Sequence, residues 1–201
     1  MGDPRRAKKK FETPSHPWQG DRIREEKELM IKYGLKNKKE VWKAQSYLRN
    51  LRAQARNLQA RMRTEDEQAL KETDLLLKKC YRIGFLPEGA PLTDVLTIDV
   101  ETILSRRLQT LVYNKGLSMT PHQARQMIVH GHISISERRN TVPGMLVPRA
   151  VERAIDYAGN SPFGFEEHPM RPQGTAEGEE APTQVPNKVK IEVKEEEGGE
   201  K

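Results

Sequence analysis

DVETILSRRLQTLVYNKGLSMTPHQARQMIVHGHISISERRNTVPGMLVPRAVERAIDY, residues 99–157, is the stretch whose reading decides the fold. Val100, Ile103, Leu104, Leu108, Leu111 and Val112 recur at steps that build one apolar helix face, with Arg106, Arg107 and Gln109 at its edges. Gly116 ends that helix. A second helix opens on Thr120 as N-cap, with Pro121 at the first helical position and Gln123 at the third, a capping-box pattern with φ pre-set by proline. Ala124, Met127 and Ile128 can pack inward, while Gln123, Arg125, Gln126 and His130 fall on polar faces able to reach a phosphate or sugar. Gly131 stops the helix, and residues 132–136 read as a short strand, so the order is α-α-β. Ser136 and Glu137 then stand where a hairpin would turn, and neither readily supplies φ > 0. A two-residue type I′ turn is therefore disfavoured, and a longer loop through Arg138, Arg139 and Asn140 stays open as the alternative.

Upstream the chain is helical. Residues 21–33 carry Ile23, Leu29, Met30 and Tyr33 as an apolar set, with Asp21 as candidate N-cap and Gly34 placed to end the helix. Between Asn37 and Arg63, Val41, Ala44, Leu48, Leu51, Ala55, Leu58 and Met62 define a buried face. Beside it runs a polar stripe, Gln45, Arg49, Arg52, Arg56, Gln59 and Arg63, turned about 100° around the helix. A guanidinium fork suits phosphate oxygens, and no acidic residue lies between Val41 and Arg63 to pair with these arginines. A third helix, from about Glu65 to Arg82, has Thr64 as cap, an acidic first turn and a face of Leu70, Thr73, Leu77 and Cys80. Cys80 reads as a small buried hydrophobe.

Charge is distributed unevenly along the 201 residues. The first 63 hold 18 Lys/Arg against 7 Asp/Glu, a local +11, whereas the whole chain carries +6. That concentration points to a polyanionic partner met by the first third of the chain. Residues 1–20 combine Pro4, Pro14 and Pro17 with Arg5, Arg6, Lys8, Lys9 and Lys10 and read as an extended basic arm that orders only on its partner. Phe11 and Trp18 set the arm apart from a purely solvated tail. Residues 171–201, rich in Pro, Gly, Glu and Lys, read as a disordered acidic tail.

Composition also excludes functions. A single cysteine allows neither an internal disulfide nor a zinc site built on paired cysteines, and a reducing interior is the default setting. No apolar run of the ~20 residues needed for a membrane span is present, so a soluble, cytoplasmic protein is expected. His130 and His132, an i,i+2 pair across a helix end, lack a third ligand nearby. No phosphate-cradling glycine loop, dinucleotide fingerprint or glycine-flanked nucleophilic serine occurs. Neither catalysis, a cofactor nor a small-molecule substrate is expected.

Residues 99–157 resemble the S-four RNA-binding domain, through Arg107 and Leu108, Thr120, Ala124 and Arg125, and the run from Val129 to Ile133. The resemblance implies RNA on the two helices and the following strand. It carries over Arg106, Arg107, Lys115, His122, Gln123, Arg125, Gln126, His130, His132 and Arg138 as contacts. Upstream, RRAKKKFETPSHPWQGDRIREEKELMIKYGLKNKKEVWKA is similar to the N-terminal region of S-four-family small-subunit ribosomal proteins of archaeal and eukaryotic type. Bacterial relatives often carry a cysteine zinc cluster there; this chain has no such cysteines, so no metal is carried over.

The resemblance implies direct binding to small-subunit ribosomal RNA early in assembly of the subunit body, an influence on translational accuracy, and an S-five-type protein neighbour. A free RNA-binding assembly or accessory factor is the alternative. The expected architecture is α+β: arm 1–20, helical region 21–98, RNA-binding module 99–170 and tail 171–201.

Overall fold

A computed structural model describes residues 9–64, 66–165, 168, 169, 171 and 172. Arg5, Arg6, Lys8, Glu65 and the expected acidic tail from residue 173 onward lie outside the described residues. Helices α1 (Gly20–Lys32), α2 (Lys38–Met62), α3 (Glu67–Ile83), α4 (Asp94–Thr97) and α5 (Val100–Ser105) come first. They are followed by α6 (Leu108–Asn114), α7 (Pro121–His130), β1 (Ile133–Ile135), β2 (Arg138–Arg139), α8 (Arg149–Glu152), β3 (Ile155–Tyr157) and a 3-10 turn at Pro162–Gly164. The strands form one antiparallel sheet in the order β2-β1-β3. The chain is thus α+β.

Two apolar cores sit side by side. The first gathers Val41, Leu48, Leu51 and Ala55 of α2 with Ala69, Leu76 and Cys80 of α3, and runs on to Ile103 and Leu104. The second begins at Leu108 and joins Val112, Ala124, Ile128, Ile133, Val147 and Ile155. Each fully buried Leu or Ile contributes about 1.5–3 kcal/mol relative to an exposed one.

The boundary between the cores is a break that periodicity hides. Residues 100–112, expected as one helix, are α5 and α6 with Arg106 and Arg107 between them. Arg107 is extended and bridges Leu146 antiparallel. Leu108 N donates to Met145 O at 2.8 Å, and Val147 N donates to Arg106 O at 3.1 Å. Residues 142–147 therefore take the backbone partners a continuous helix would have used, while the three-and-four spacing of apolar side chains continues across the interruption.

The helix starts also differ. The residue before α1 is Gln19, without a side-chain cap, and Asp21 already lies in the first turn. Asp66, not Thr64, caps α3 by accepting from Gln68 N at 3.0 Å. Thr64 Oγ1 instead donates to Arg61 O. The buried face of α3 is Ala69, Thr73, Leu76 and Cys80, one position away from the expected stripe at two points, and Leu70 is exposed. Met62, in the last turn of α2, is exposed rather than buried. Residues 9–19, expected to order only on a partner, lie against α1 and α2: Glu12 N donates to Ser46 Oγ at 3.1 Å, and the Phe11 ring stands 6.1 Å from Trp42.

The α7 start matches its reading. Thr120 accepts from Gln123 N at 3.1 Å, and Gln123 Oε1 accepts from Met119 N at 2.7 Å. The hairpin does not. Ile135 pairs with Arg138, so Ser136 and Glu137 alone make the reversal, at φ +48° and +67°. That is the type I′ reversal, which follows the right-handed strand twist and needs φ > 0 at both positions. Ser136 N donating to Ala154 O and Asn140 N donating to Ile133 O pin the chain on either side. Holding non-glycine residues there costs roughly 1–2 kcal/mol each. The double replacement Ser136→Asn with Glu137→Gly is accordingly expected to stabilise the protein by about 1–2 kcal/mol, read from the urea midpoint at constant m-value. No gain would mean the reversal is not strained.

Candidate nucleic-acid interface

Four expected contact residues are committed inside the protein. Arg107, with 9% of its side chain exposed, donates to Glu40 at 2.5 Å. Arg125 donates to the same carboxylate at 2.7 Å and to Gln109 Oε1 at 3.3 Å. Arg106 donates to Glu152 and to the carbonyls of Ile83 and Val147. Arg52 donates to Ile98 O at 2.5 Å and stands 3.8 Å from Asp99. Arg106 and Arg107 are therefore not the open helix edges the sequence suggests, because no helix passes through them.

Gln109, also expected at an edge, is 1% exposed. Its Nε2 donates to Gly34 O at 2.8 Å, Pro121 O at 2.9 Å and Tyr33 O at 3.2 Å, tying the end of α1 to the start of α7. Burial raises the Glu40 carboxyl's proton affinity, yet hydrogen bonds and charge from Arg125 and Arg107 more than offset it. The carboxyl ends below its ordinary range. Glu40 and Gln109 hold the two cores in register. Sequence reasoning passed over Glu40, although it is the one carboxylate in α2, and that isolation was the available signal.

What remains open is a set of faces on α2, α7 and β2. Arg56 and Arg63 are exposed and have no partner among the described residues. Arg49 is exposed beside the Glu12 carboxylate. His122, Gln126 and His130 are exposed at i, i+4 and i+8, one side of α7. Arg138 is exposed on the edge strand β2. Lys9 and Lys10 are exposed, Lys9 over the Phe11 ring. Lys10 also lines a cleft of about 540 Å³ whose other charged residues are Lys43, Glu40, Arg107 and Arg125.

Three further expected contacts are partly occupied. Lys115 Nζ donates to the carbonyls of Arg153 and Ile155. Gln123 caps α7. His132 Nδ1 lies 3.1 Å from Ser161 Oγ, its ring edge-on to Phe163 at 4.9 Å. Burial, reinforced by the charges of His130, Arg139 and His168, lowers the His132 pKa. Among the described residues no group of three His, Cys, Asp or Glu could hold a metal ion.

The arrangement offers cations and hydrogen-bonding groups to a polyanion on open faces of α2, α7 and β2. Residues 106–150 match the S4 domain family. The chain is 50% identical over 181 residues to a small ribosomal subunit protein uS4 of Picrophilus torridus, covering 89% of this chain and 99% of the relative. It is 52% identical over 171 residues to the uS4 protein of Thermoplasma acidophilum, covering 85% and 86%. With the uS4 protein of Methanococcus maripaludis it shares 51% over 178 residues, covering 88% and 98%. These relatives are named as ribosomal proteins and not as enzymes. By likeness along nearly the whole length of such relatives, this chain belongs to the uS4 family of small ribosomal subunit proteins.

Proposed function

We propose that the chain is a structural constituent of the small ribosomal subunit, and so of the cytoplasm, that binds small-subunit ribosomal RNA directly. In this reading it nucleates assembly of the subunit body, contributes to translational accuracy and sits beside an S-five-type protein. The observation that carries the reading is the near-full-length likeness to proteins named for that subunit. The open cationic faces are in keeping with it.

The contacts fall into two kinds. Arg49, Arg56, Arg63, Lys9 and Lys10, with Arg5, Arg6 and Lys8 of the arm, serve phosphates and supply most of the salt-sensitive affinity. His122, Gln126, His130 and Arg138 fit the module to a folded RNA junction, where shape and placement count beside charge. Arg52, Arg106, Arg107, Lys115, Gln123, Arg125 and His132 act chiefly by holding those faces in place. The domain plan is arm 1–20, helical region 21–98, RNA-binding module 99–170 and tail 171–201.

The test is sedimentation of cell extract through a sucrose gradient at physiological salt. The protein is expected in the small-subunit peak, and subunits from depleted cells should lack a compact body. Recovery as a free monomer, with small subunits complete without it, would overturn the reading in favour of an accessory factor.

A further inference from the structure

Trp18 is 90% exposed, an unusual state for the largest apolar side chain in a folded region. It is not on a loose end. The turn that carries it is held from behind, because Arg22 Nη2 donates to His16 O at 2.8 Å and to Pro17 O at 3.0 Å. Arg22 is itself fixed by Glu26, whose Oε1 accepts from Arg22 Nη1 and from Trp42 Nε1, both at 2.9 Å. Glu26 is 1% exposed and lies in the apolar register of α1, three residues after Ile23 and four before Met30. On the other side of the turn, Ile23 N donates to Gln19 O at 3.1 Å as α1 begins.

A buried carboxylate is costly unless it is well paired, and this one secures the carbonyls next to an indole that touches solvent. The result is an aromatic face displayed on a preset backbone, with little ordering entropy left to lose on binding. The residues around it favour one class of partner. An aromatic anchor for another protein sits within a ring of apolar contacts that exclude water. Here Ser15, His16, Gln19 and Asp21 are polar and exposed. Lys9, Lys10, Arg24 and Lys27 are exposed cations of the same N-terminal region, interspersed with exposed Glu12, Glu25 and Glu28. An exposed aromatic face with polar chain neighbours, in the third of the chain that holds 18 Lys/Arg against 7 Asp/Glu, is the combination by which unpaired bases are bound.

We infer that Trp18 is a base-stacking anchor that takes an unpaired nucleobase of the bound RNA, displayed by the Glu26–Arg22 clamp. The inference rests on the RNA-binding reading above, and the experiment separates the two. The full-length wild type, Trp18→Ala and Trp18→Phe are titrated with the complete small-subunit ribosomal RNA of the source organism, by filter binding across a salt series and by tryptophan fluorescence.

Trp18→Ala is expected to lose about 10- to 100-fold in affinity with an unchanged salt slope, since a lost stack removes no phosphate contact. Trp18→Phe should keep most of the affinity while losing the fluorescence quenching seen in the wild type, with Trp42 left as the sole reporter. Affinity of Trp18→Ala within twofold of wild type, without quenching in the wild type, would overturn the stack. Normal binding of Trp18→Ala to naked RNA with failed incorporation into the subunit would overturn it too, and assign the indole to a neighbouring protein. Wild type that fails to bind the RNA at all would remove the function proposed above and this inference with it.

Discussion

Replacing Glu40 with alanine is expected to cost about 3–5 kcal/mol of stability, because it strands the two partly buried guanidiniums of Arg107 and Arg125. Those side chains are 9% and 21% exposed, so water from the adjoining cleft replaces the carboxylate only in part. Glu40→Gln keeps an acceptor oxygen and should lose less. The pH dependence follows from the lowered proton affinity of Glu40 in the folded chain. A depressed folded pKa gives stability that is complete above the unfolded value, near 4.3, and is lost as pH falls through the lower folded value. The stability difference between wild type and Glu40→Gln should therefore be constant at neutral pH and shrink below about pH 4. Urea unfolding at a series of pH values measures it. A loss under about 1 kcal/mol at pH 7 would mean the arginines find other partners.

Gly34→Ala is the second large effect. Gly34 has φ +59°, and a Cβ there would stand 2.7 Å from Pro121 Cβ and 3.0 Å from Gln109 Nε2. The left-handed backbone alone costs roughly 1–2 kcal/mol for alanine. Displacing Gln109 also leaves buried carbonyls without their donor, at about 1–3 kcal/mol. A total of about 2–4 kcal/mol is expected after partial relaxation. Gly89→Ala is the control, since Gly89 has φ +79° but nothing within 4 Å of the added atom. Equal losses for the two variants would show that the seam between α1 and α7 tolerates a methyl group.

The elements that declared themselves in the sequence were those with a local cause. The α7 start was legible because Thr120, Pro121 and Gln123 specify it within four residues. The α2 face was legible because six apolar positions repeat without interruption. What escaped reading was set by partners distant in the chain. The break at Arg106 is imposed by residues 142–147, and the type I′ reversal at Ser136 and Glu137 by pairings of β1 with β2 and β3.

The site shows the same division. Exposed Arg56, Arg63, Gln126 and His130 followed from helical spacing, whereas exposed His122 and Arg138 were expected only from the resemblance. By contrast the pairing of Arg107 and Arg125 was not legible, because their common partner, Glu40, lies 67 and 85 residues away. A basic residue in an RNA-binding pattern can as well be the strut of the surface as its contact.

The measurement that bears most directly on direct RNA binding through these faces is the salt dependence of affinity for small-subunit ribosomal RNA. Arg56→Gln with Arg63→Gln leaves the buried face of α2 untouched, and circular dichroism should report an intact helix. The slope of log affinity against log salt is expected to shrink by roughly 0.7 to 0.9 for each phosphate contact removed. An unchanged slope in the folded double variant would contradict the account and leave the arginine stripe an ordinary solvated face.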